Sequence, residues 1–354
     1  TTEADLVLVA TRDAVDYDID LFRRRLTQGP YAAAMHLAWR VESAEGFLSN
    51  FVGNDRLPAA LGTTKDLNTD DRTLIEFGFG RSVGDRGRFD LNQLIAFSRG
   101  AGTHRPSHVL GTVNWREVEL NRWHDPSYEL SPLETDEQVR SRAEFTNLYD
   151  GDNFAGALSL WEKEPFAPVN STELSRIAEV LAEAGREDAI PLVDRLRPQE
   201  PTEADALLAR VRLRQQRYAD SAAALERALV RYQADPRPDM NVMGHALDTA
   251  ASLARIDHRL APHIFDLLSK PFSTGQWGDT RKIYRIHVAH AGEGCGPRTV
   301  AALRAMEPDF PWAYDLLKVR RQCYAAAHVG ALAKRANEEW KEFTDAEPQS
   351  LSPR

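Results

Sequence analysis

The first hydrophobic segment of the chain carries no polar residue. Every position from Leu6 to Ala10 is aliphatic, and charged residues lie close on both sides, at Asp5 and Arg12. An uninterrupted aliphatic run is typical of a strand buried on both faces of an α/β sheet, whereas a half-exposed strand alternates apolar and polar residues. We therefore predict a buried sheet strand over Leu6–Ala10.

After this run the chain shows short amphipathic segments. Helices are predicted over residues 18–26, 31–39 and 45–51, followed by a polar turn over 67–71 and a strand over 74–79. Between residues 81 and 133, glycines and prolines interrupt the pattern, and we predict only short helices at 90–97 and 114–122. This stretch is interpreted as a connector.

From Thr135 to Ala346 the hydrophobic period is helical, and the first part repeats at a spacing of 32 residues. Three sets of positions recur in phase: Tyr149, Leu181 and Leu213; Ala157, Ala189 and Ser221; Trp161, Val193 and Leu225. Small residues suit the contact between two helices of a hairpin, and a larger residue four positions later fills the groove to the next hairpin. Beyond residue 235 the repeat fades, and helices are predicted over Met240–Ile256, His258–Leu268, Asp279–Ala291, Arg298–Met306 and Phe310–Thr344.

This repeat resembles degenerate tetratricopeptide repeats. The resemblance covers residues 135–235, with a period of 32 where about 34 is usual, and without the helix-opening Trp-Leu-Gly signature. It implies a stack of helical hairpins whose concave surface binds a protein partner.

Two segments near the start are similar to the carboxyl-terminal end of a spermidine-synthase-like domain. They are Ala4–Ala10, as a late sheet strand, and Leu67–Phe77, as the closing motif. The similar proteins are bacterial and fuse a major-facilitator-type membrane region to an aminopropyltransferase-like domain of Rossmann-like, methyltransferase-type fold. The resemblance implies a parent that acts on decarboxylated S-adenosylmethionine and a polyamine.

The same resemblance places the glycine-rich nucleotide loop, the ribose-binding acid and the catalytic aspartate upstream of Leu6. We therefore expect no catalytic residue and no cofactor in this chain. Asp70 and Asp71 match the closing motif and are the tentative substrate-binding residues, since paired carboxylates attract the ammonium groups of a polyamine. The alternative is that they cap the turn before the last strand, because aspartate readily accepts from nearby backbone amides.

Composition and charge narrow the class of protein. The 354 residues are 42% hydrophobic and 27% charged, which is typical of a folded globular chain, and the net charge of −9 argues against a nucleic-acid partner. No apolar run approaches the ~18–20 residues that span a bilayer. The chain opens at Thr1 without an initiator Met or a signal-peptide pattern, so we expect it to be a piece of a longer protein.

Several residues that invite a chemical role have ordinary explanations. Two cysteines, Cys295 and Cys323, are too few for a disulfide framework and fit a reducing compartment. They also fall short of a structural zinc set, although His287 and His290 lie nearby, so we expect no metal. The glycines of residues 292–296 favour an inter-helix turn over a phosphate loop, because no buried strand precedes them.

A basic face is predicted on one helix of the second half. Arg210, Arg214 and Arg217 share that face and could bind an acidic partner or lipid headgroups. In a chain of negative net charge a solvated face is the simpler interpretation, with Glu203 and Glu226 as counter-charges.

Together these patterns predict a mainly α chain in which a tetratricopeptide-like array follows a partial α/β segment. The boundaries are residues 1–85 for the α/β segment, 86–134 for the connector, 135–346 for the helical domain and 347–354 for a tail. The predicted function is a cytoplasmic interaction or bracing scaffold for a protein partner or for an upstream domain of the parent. The alternative is a contribution to an aminopropyltransferase-type active site completed by upstream residues.

Overall fold

A computed structural model describes residues 7–9, 11–62, 91–124 and 134–346. The described residues are mainly helical, which confirms the mainly α prediction. The chain divides into two compact units, Thr1–Leu174 and Ser175–Arg354.

The described part of the first unit contains short helices and one pair of very short strands. The strands are β1 (Tyr17–Asp18) and β2 (Val109–Leu110), which pair in parallel with Tyr17 opposite Val109. The helices are α1 (Ile19–Leu26), α2 (Gly29–Trp39), α3 (Ala44–Ser49), α4 (Leu57–Leu61), α5 (Leu91–Gly100), α6 (Trp115–Asn121), α7 (Glu137–Asp150) and α8 (Phe154–Lys163), with a 3₁₀ turn at Arg122–His124.

Helix α1 begins where the sequence predicts it, because Asp18 accepts a hydrogen bond from the Leu21 amide at 2.8 Å and caps the first turn. Its apolar face enters a small core with residues of α3 and α6. The buried members of this core are Ile19, Ala44, Leu48 and Val118.

The predicted strand over Leu6–Ala10 is wrong for the residues that the structure describes. Val7, Leu8 and Val9 form no strand, and they are 66%, 85% and 81% exposed. A strand is stable only where a neighbour accepts its backbone hydrogen bonds, and the described sheet consists of β1 and β2 alone. Residues 67–79, which include the predicted turn and closing strand, lie outside the described residues.

The described part of the second unit consists of helices that follow one another along the chain. Its helices are α9 (Ser171–Glu183, which begins before the boundary), α10 (Ala189–Leu196), α11 (Pro201–Arg214), α12 (Tyr218–Tyr232), α13 (Met240–Ile256), α14 (Ala261–Leu267), α15 (Gly278–Glu293), α16 (Pro297–Arg304), α17 (Tyr314–Ala326) and α18 (Gly330–Ala346). Helix α11 packs against α10, α12 and α13, and α13 packs against α15. A 3₁₀ turn covers Gly275–Trp277.

The in-phase positions of the sequence repeat are largely buried. Ala157, Ala189 and Ser221, at the beginnings of α8, α10 and α12, are fully buried. Val193 and Leu225, four residues later, are also fully buried. Trp161 and Leu213 are half-buried, so the burial agrees with the spacing at most of these positions.

Two helices cover the segment Phe310–Thr344. Helix α17 ends near His328, whose φ of 52° lies in the left-handed region, and α18 begins at Gly330. A left-handed residue ends a helix because the next amide turns back toward the last carbonyls, and here the Val329 amide donates to the Tyr324 carbonyl at 3.0 Å.

A disulfide joins Cys295 and Cys323, with their Cα atoms 4.7 Å apart. It ties the turn between α15 and α16 to α17. The sequence excluded a multi-disulfide framework and took the two cysteines to fit a reducing compartment, and their spacing along the chain carried no sign of this pairing.

Candidate functional site

The second unit contains a groove of about 400 Å³ between helices α11 and α13, near the end of α9. This volume suits part of a peptide or a small ligand. Charged and hydroxyl side chains with two aliphatic ones line the groove: Glu183, Arg210, Leu213, Arg214, Asp248, Thr249, Ser252, Arg255 and Ile256. We call this surface the α11–α13 groove.

Helical periodicity places these side chains together. Arg210 and Arg214 are four residues apart on α11, and Asp248, Ser252 and Arg255 follow at four and three residues on α13. Residues at such spacings lie on one face of a helix. Since α11 packs on α13, the two faces border the same space.

Arg210 is held on one wall of the groove by two carboxylates. It is only 8% exposed, and its Nε donates to Glu183 Oε2 at 2.6 Å. Its Nη1 lies 3.8 Å from Glu179 Oε1. A nearly buried guanidinium needs such partners, because removing its water is costly.

Arg214 pairs with the other oxygen of Glu183, so one carboxylate joins both arginines of α11. Arg217 lies apart, with its Nη2 2.6 Å from Asp220 Oδ2. The sequence offered Glu203 and Glu226 as counter-charges of this basic face, and two contacts of these acids lie elsewhere. Glu203 accepts from the Asp239 amide at 2.7 Å, and Glu226 faces His263 at 3.1 Å.

The polar character continues along α13 and onto α15. His245 Nδ1 lies 2.9 Å from Glu179 Oε1, within hydrogen-bond distance. The Tyr284 hydroxyl donates to Asp248 Oδ1 at 2.5 Å. Burial, followed by the hydrogen bond and the charge of Asp248, raises the pKa of the Tyr284 hydroxyl, so this group stays protonated at neutral pH.

Arg255 is an exposed cation of the groove whose hydrogen-bond partner is a neutral hydroxyl. Its Nη2 donates to Ser252 Oγ at 2.9 Å, and Ile256 beside it is 50% exposed. The positive charge of Arg255 acts on Tyr284 in the direction of a lower pKa, which places the guanidinium near that hydroxyl. An exposed arginine beside an apolar side chain can form paired hydrogen bonds with a carboxylate.

The structure places the other candidate residues as follows. Asp70 and Asp71 lie outside the described residues. The turn predicted at residues 292–296 is confirmed, since α15 ends at Glu293 and α16 begins at Pro297.

Burial, with Arg105 and Arg99 nearby, lowers the pKa of His104, so this imidazole favours its neutral form.

The structure also brings Cys323 next to His290 and Cys295, which are close in sequence. The ligand atoms of His290, Cys295 and Cys323 all lie within 4.8 Å of one another. His290 is on the last turn of α15, Cys295 is in the following turn, and Cys323 is on α17. Only the His290–Cys295 proximity could be inferred from spacing.

A smaller cavity of about 230 Å³ lies in the first unit. It is bordered by the loop after α2, by the end of α6 and by the segment that precedes α9. Its residues are Arg40, Val41, Glu42, Ser43, Gly46, Glu117, Asn121, Val169 and Asn170.

No family model, curated protein or solved structure matches the chain. Within the described ranges, no helix has the length and hydropathy needed to cross a bilayer. The described residues form a mainly helical protein whose second unit carries a polar groove.

Proposed function

We propose that this chain is an interaction module in which tetratricopeptide-like hairpins present the α11–α13 groove to an acidic peptide segment of a protein partner. The observation that carries the proposal is an exposed Arg255 that lines a groove together with two more arginines and two carboxylates. Stacked helical hairpins that bury their small residues and leave a polar groove are typical binding scaffolds.

The charge balance of the groove favours an acidic ligand. Glu183 is engaged by Arg210 and Arg214, and Asp248 accepts from Tyr284, so both carboxylates have donors from the protein. Arg255 donates to a neutral hydroxyl and keeps a full positive charge for a ligand. The exposed side chain of Ile256 adds an apolar contact for the residue next to the acid.

The proposal extends the similarity to spermidine-synthase-like proteins, in which helices of this kind follow the synthase-like domain. The partner is then a separate protein or another part of the parent, and the chain acts in the cytoplasm. The alternative role in an aminopropyltransferase-type site depends on Asp70 and Asp71, and no described residue adds support for it.

The test uses fluorescence anisotropy with two labelled peptide pools, one carrying Asp or Glu between aliphatic residues and one carrying Lys at those positions. We expect the full chain to bind the acidic pool more tightly, with an affinity that falls as salt rises. Replacing Arg255 by Glu should weaken binding at least about tenfold, because a hydrogen bond between charged groups is lost and repulsion is added.

Arg259→Glu is the matched control. Arg259 has a side chain that is 89% exposed, pairs with Asp257 at 2.8 Å and does not line the groove, yet the substitution changes the net charge equally. Equal losses for the two variants, or no preference for the acidic pool, would refute the proposal.

A further inference from the structure

The His290–Cys295–Cys323 cluster contains two thiol-bearing residues and an imidazole, and the α11–α13 groove makes no use of them. Cys323 is fully buried on α17, whereas Cys295 and His290 are partly exposed. Among the described residues, no protein group hydrogen-bonds the ring nitrogens of His290. These three side chains are therefore of the types that bind metals, and two of them are accessible to solvent.

We propose that, when the disulfide is reduced, His290, Cys295 and Cys323 bind one Zn²⁺ ion, so that the cluster alternates between a covalent cross-link and a metal cross-link. Two thiolates and one imidazole, with water in the fourth position, form a ligand set that zinc accepts. Softer sulfur donors favour zinc over magnesium or calcium, which prefer oxygen ligands.

The geometry of the backbone suits this exchange. In a tetrahedral site with Zn–S distances of about 2.3 Å, two sulfur ligands lie about 3.8 Å apart. The three ligand atoms already lie within 4.8 Å of one another, and the two cysteine Cα atoms are 4.7 Å apart. Side-chain rotation is therefore enough to move from the disulfide to the metal-bound arrangement.

The turn that carries Cys295 is held independently of the disulfide. Thr299 Oγ1 donates to the Gly294 carbonyl at 2.7 Å, and Glu293 Oε1 accepts from the Arg298 amide at 2.5 Å. The Glu293 carboxylate thus accepts from an amide in the first turn of α16, and both bonds connect the loop between α15 and α16 to that helix. Reduction should thus leave Cys295 near His290 and Cys323.

The chemical step needs a reductant, which we take to be a low-molecular-weight thiol. One thiolate attacks Sγ of the more exposed Cys295 and displaces the Cys323 thiolate, which takes up a proton. A second thiol releases Cys295 and leaves as the small-molecule disulfide, so that two electrons and two protons are transferred. Zn²⁺ then binds both sulfurs and releases two protons.

The experiment measures zinc binding to the full chain by competition with a chromophoric chelator, after reduction with a thiol that is then removed without oxygen. We expect one equivalent of zinc in the reduced protein and none in the oxidised protein. His290→Ala should weaken zinc binding at least about tenfold. Mutating a residue that only orients a metal ligand costs about 10–100-fold in metal affinity, and losing the ligand itself should cost at least as much.

His258→Ala, at an exposed histidine outside the cluster, is the control and should bind zinc as the unchanged chain does. Helicity and thermal melting of each variant show whether it is folded, and His290→Ala retains both cysteines and the disulfide. The proposal is overturned if the reduced chain binds no zinc, if the oxidised chain binds it equally, or if His290→Ala binds as tightly as His258→Ala.

Discussion

Arg320 is the largest fully buried side chain of the described chain, and its surroundings explain how a charge is tolerated there. Its Nε and Nη2 donate to the two oxygens of Glu307 at 2.8 and 2.9 Å, and its Nη1 pairs with Glu339. The Phe310 ring lies 4.7 Å from the guanidinium carbon. A buried cation with bidentate and aromatic partners holds α17, α18 and the loop before them in one arrangement.

Glu339, the second carboxylate paired with Arg320, makes the free energy of unfolding depend on pH. Burial alone would raise the pKa of Glu339, but hydrogen bonds from Arg320 and Arg335 outweigh burial and lower it below the usual 4.5. A carboxyl whose pKa is lower in the folded state stabilises the fold above its unfolded pKa, and this stabilisation is lost as the pH falls through the folded value.

We therefore predict that Glu339→Gln lowers the free energy of unfolding by about 1–3 kcal/mol at pH 7, the value of a hydrogen bond to a charged group. The difference in free energy of unfolding between the unchanged chain and the Glu339→Gln variant should shrink as the pH falls below 4.5. Urea denaturation at several pH values between neutrality and pH 3 measures it.

Glu338→Gln is the control for that series, because the Glu338 side chain is 64% exposed and its oxygen lies 3.9 Å from Lys334 Nζ. An exposed ion pair of this kind contributes little to the free energy of unfolding. A Glu339→Gln difference that stays constant with pH would contradict the assigned role.

At the scale of elements, α14 and α15 approach closely at a glycine. A Cβ atom added to Gly292 would lie 2.4 Å from the Cβ of Ala261, the first residue of α14. Real Cβ atoms do not approach each other so closely. Helices α14 and α15 can therefore pack at this distance because Gly292 has no side chain.

Gly292→Ala should therefore destabilise the second unit. Overpacking costs about 1–3 kcal/mol, and the better helix propensity of alanine offsets about 1 kcal/mol of it. In a chain that already carries Ala261→Gly the steric conflict is absent, and the same substitution should be neutral or stabilising. A double-mutant cycle by urea denaturation measures the coupling, and equal effects in both backgrounds would show that the contact is unimportant.

For the whole molecule, the proposed resemblance to spermidine-synthase-like proteins can be tested by asking whether the chain alone binds the ligands of that family. We expect no micromolar binding of spermidine or methylthioadenosine, because the proposed resemblance covers neither the nucleotide loop nor the catalytic aspartate of that family. Isothermal titration calorimetry with each compound tests this. Micromolar binding of either would favour the enzymatic alternative over a pure scaffold, and Asp70→Asn with Asp71→Asn would show whether these acids take part.

Local patterns predicted much of the helical half of the chain. Helix α13 has the bounds Met240–Ile256 that the apolar spacing predicted, since a helix depends on contacts three and four residues apart and on its cap at Asp239. The strand predicted around Val7–Val9 was wrong because strand formation depends on distant contacts and not on local ones. A strand needs a partner from a distant part of the chain, and composition does not reveal whether one is present.

The sequence alone therefore established the mainly helical class of the described residues, the turn at residues 292–296 and the burial of the small residues Ala157, Ala189 and Ser221. Only the tertiary structure decided that Arg210 pairs with Glu179 and Glu183, that Arg255 borders a groove, and that Cys323 meets Cys295 and His290. The reason is that intrahelical periodicity is a local property, whereas ion pairs and ligand clusters arise from helices that are distant in sequence and are brought together by packing.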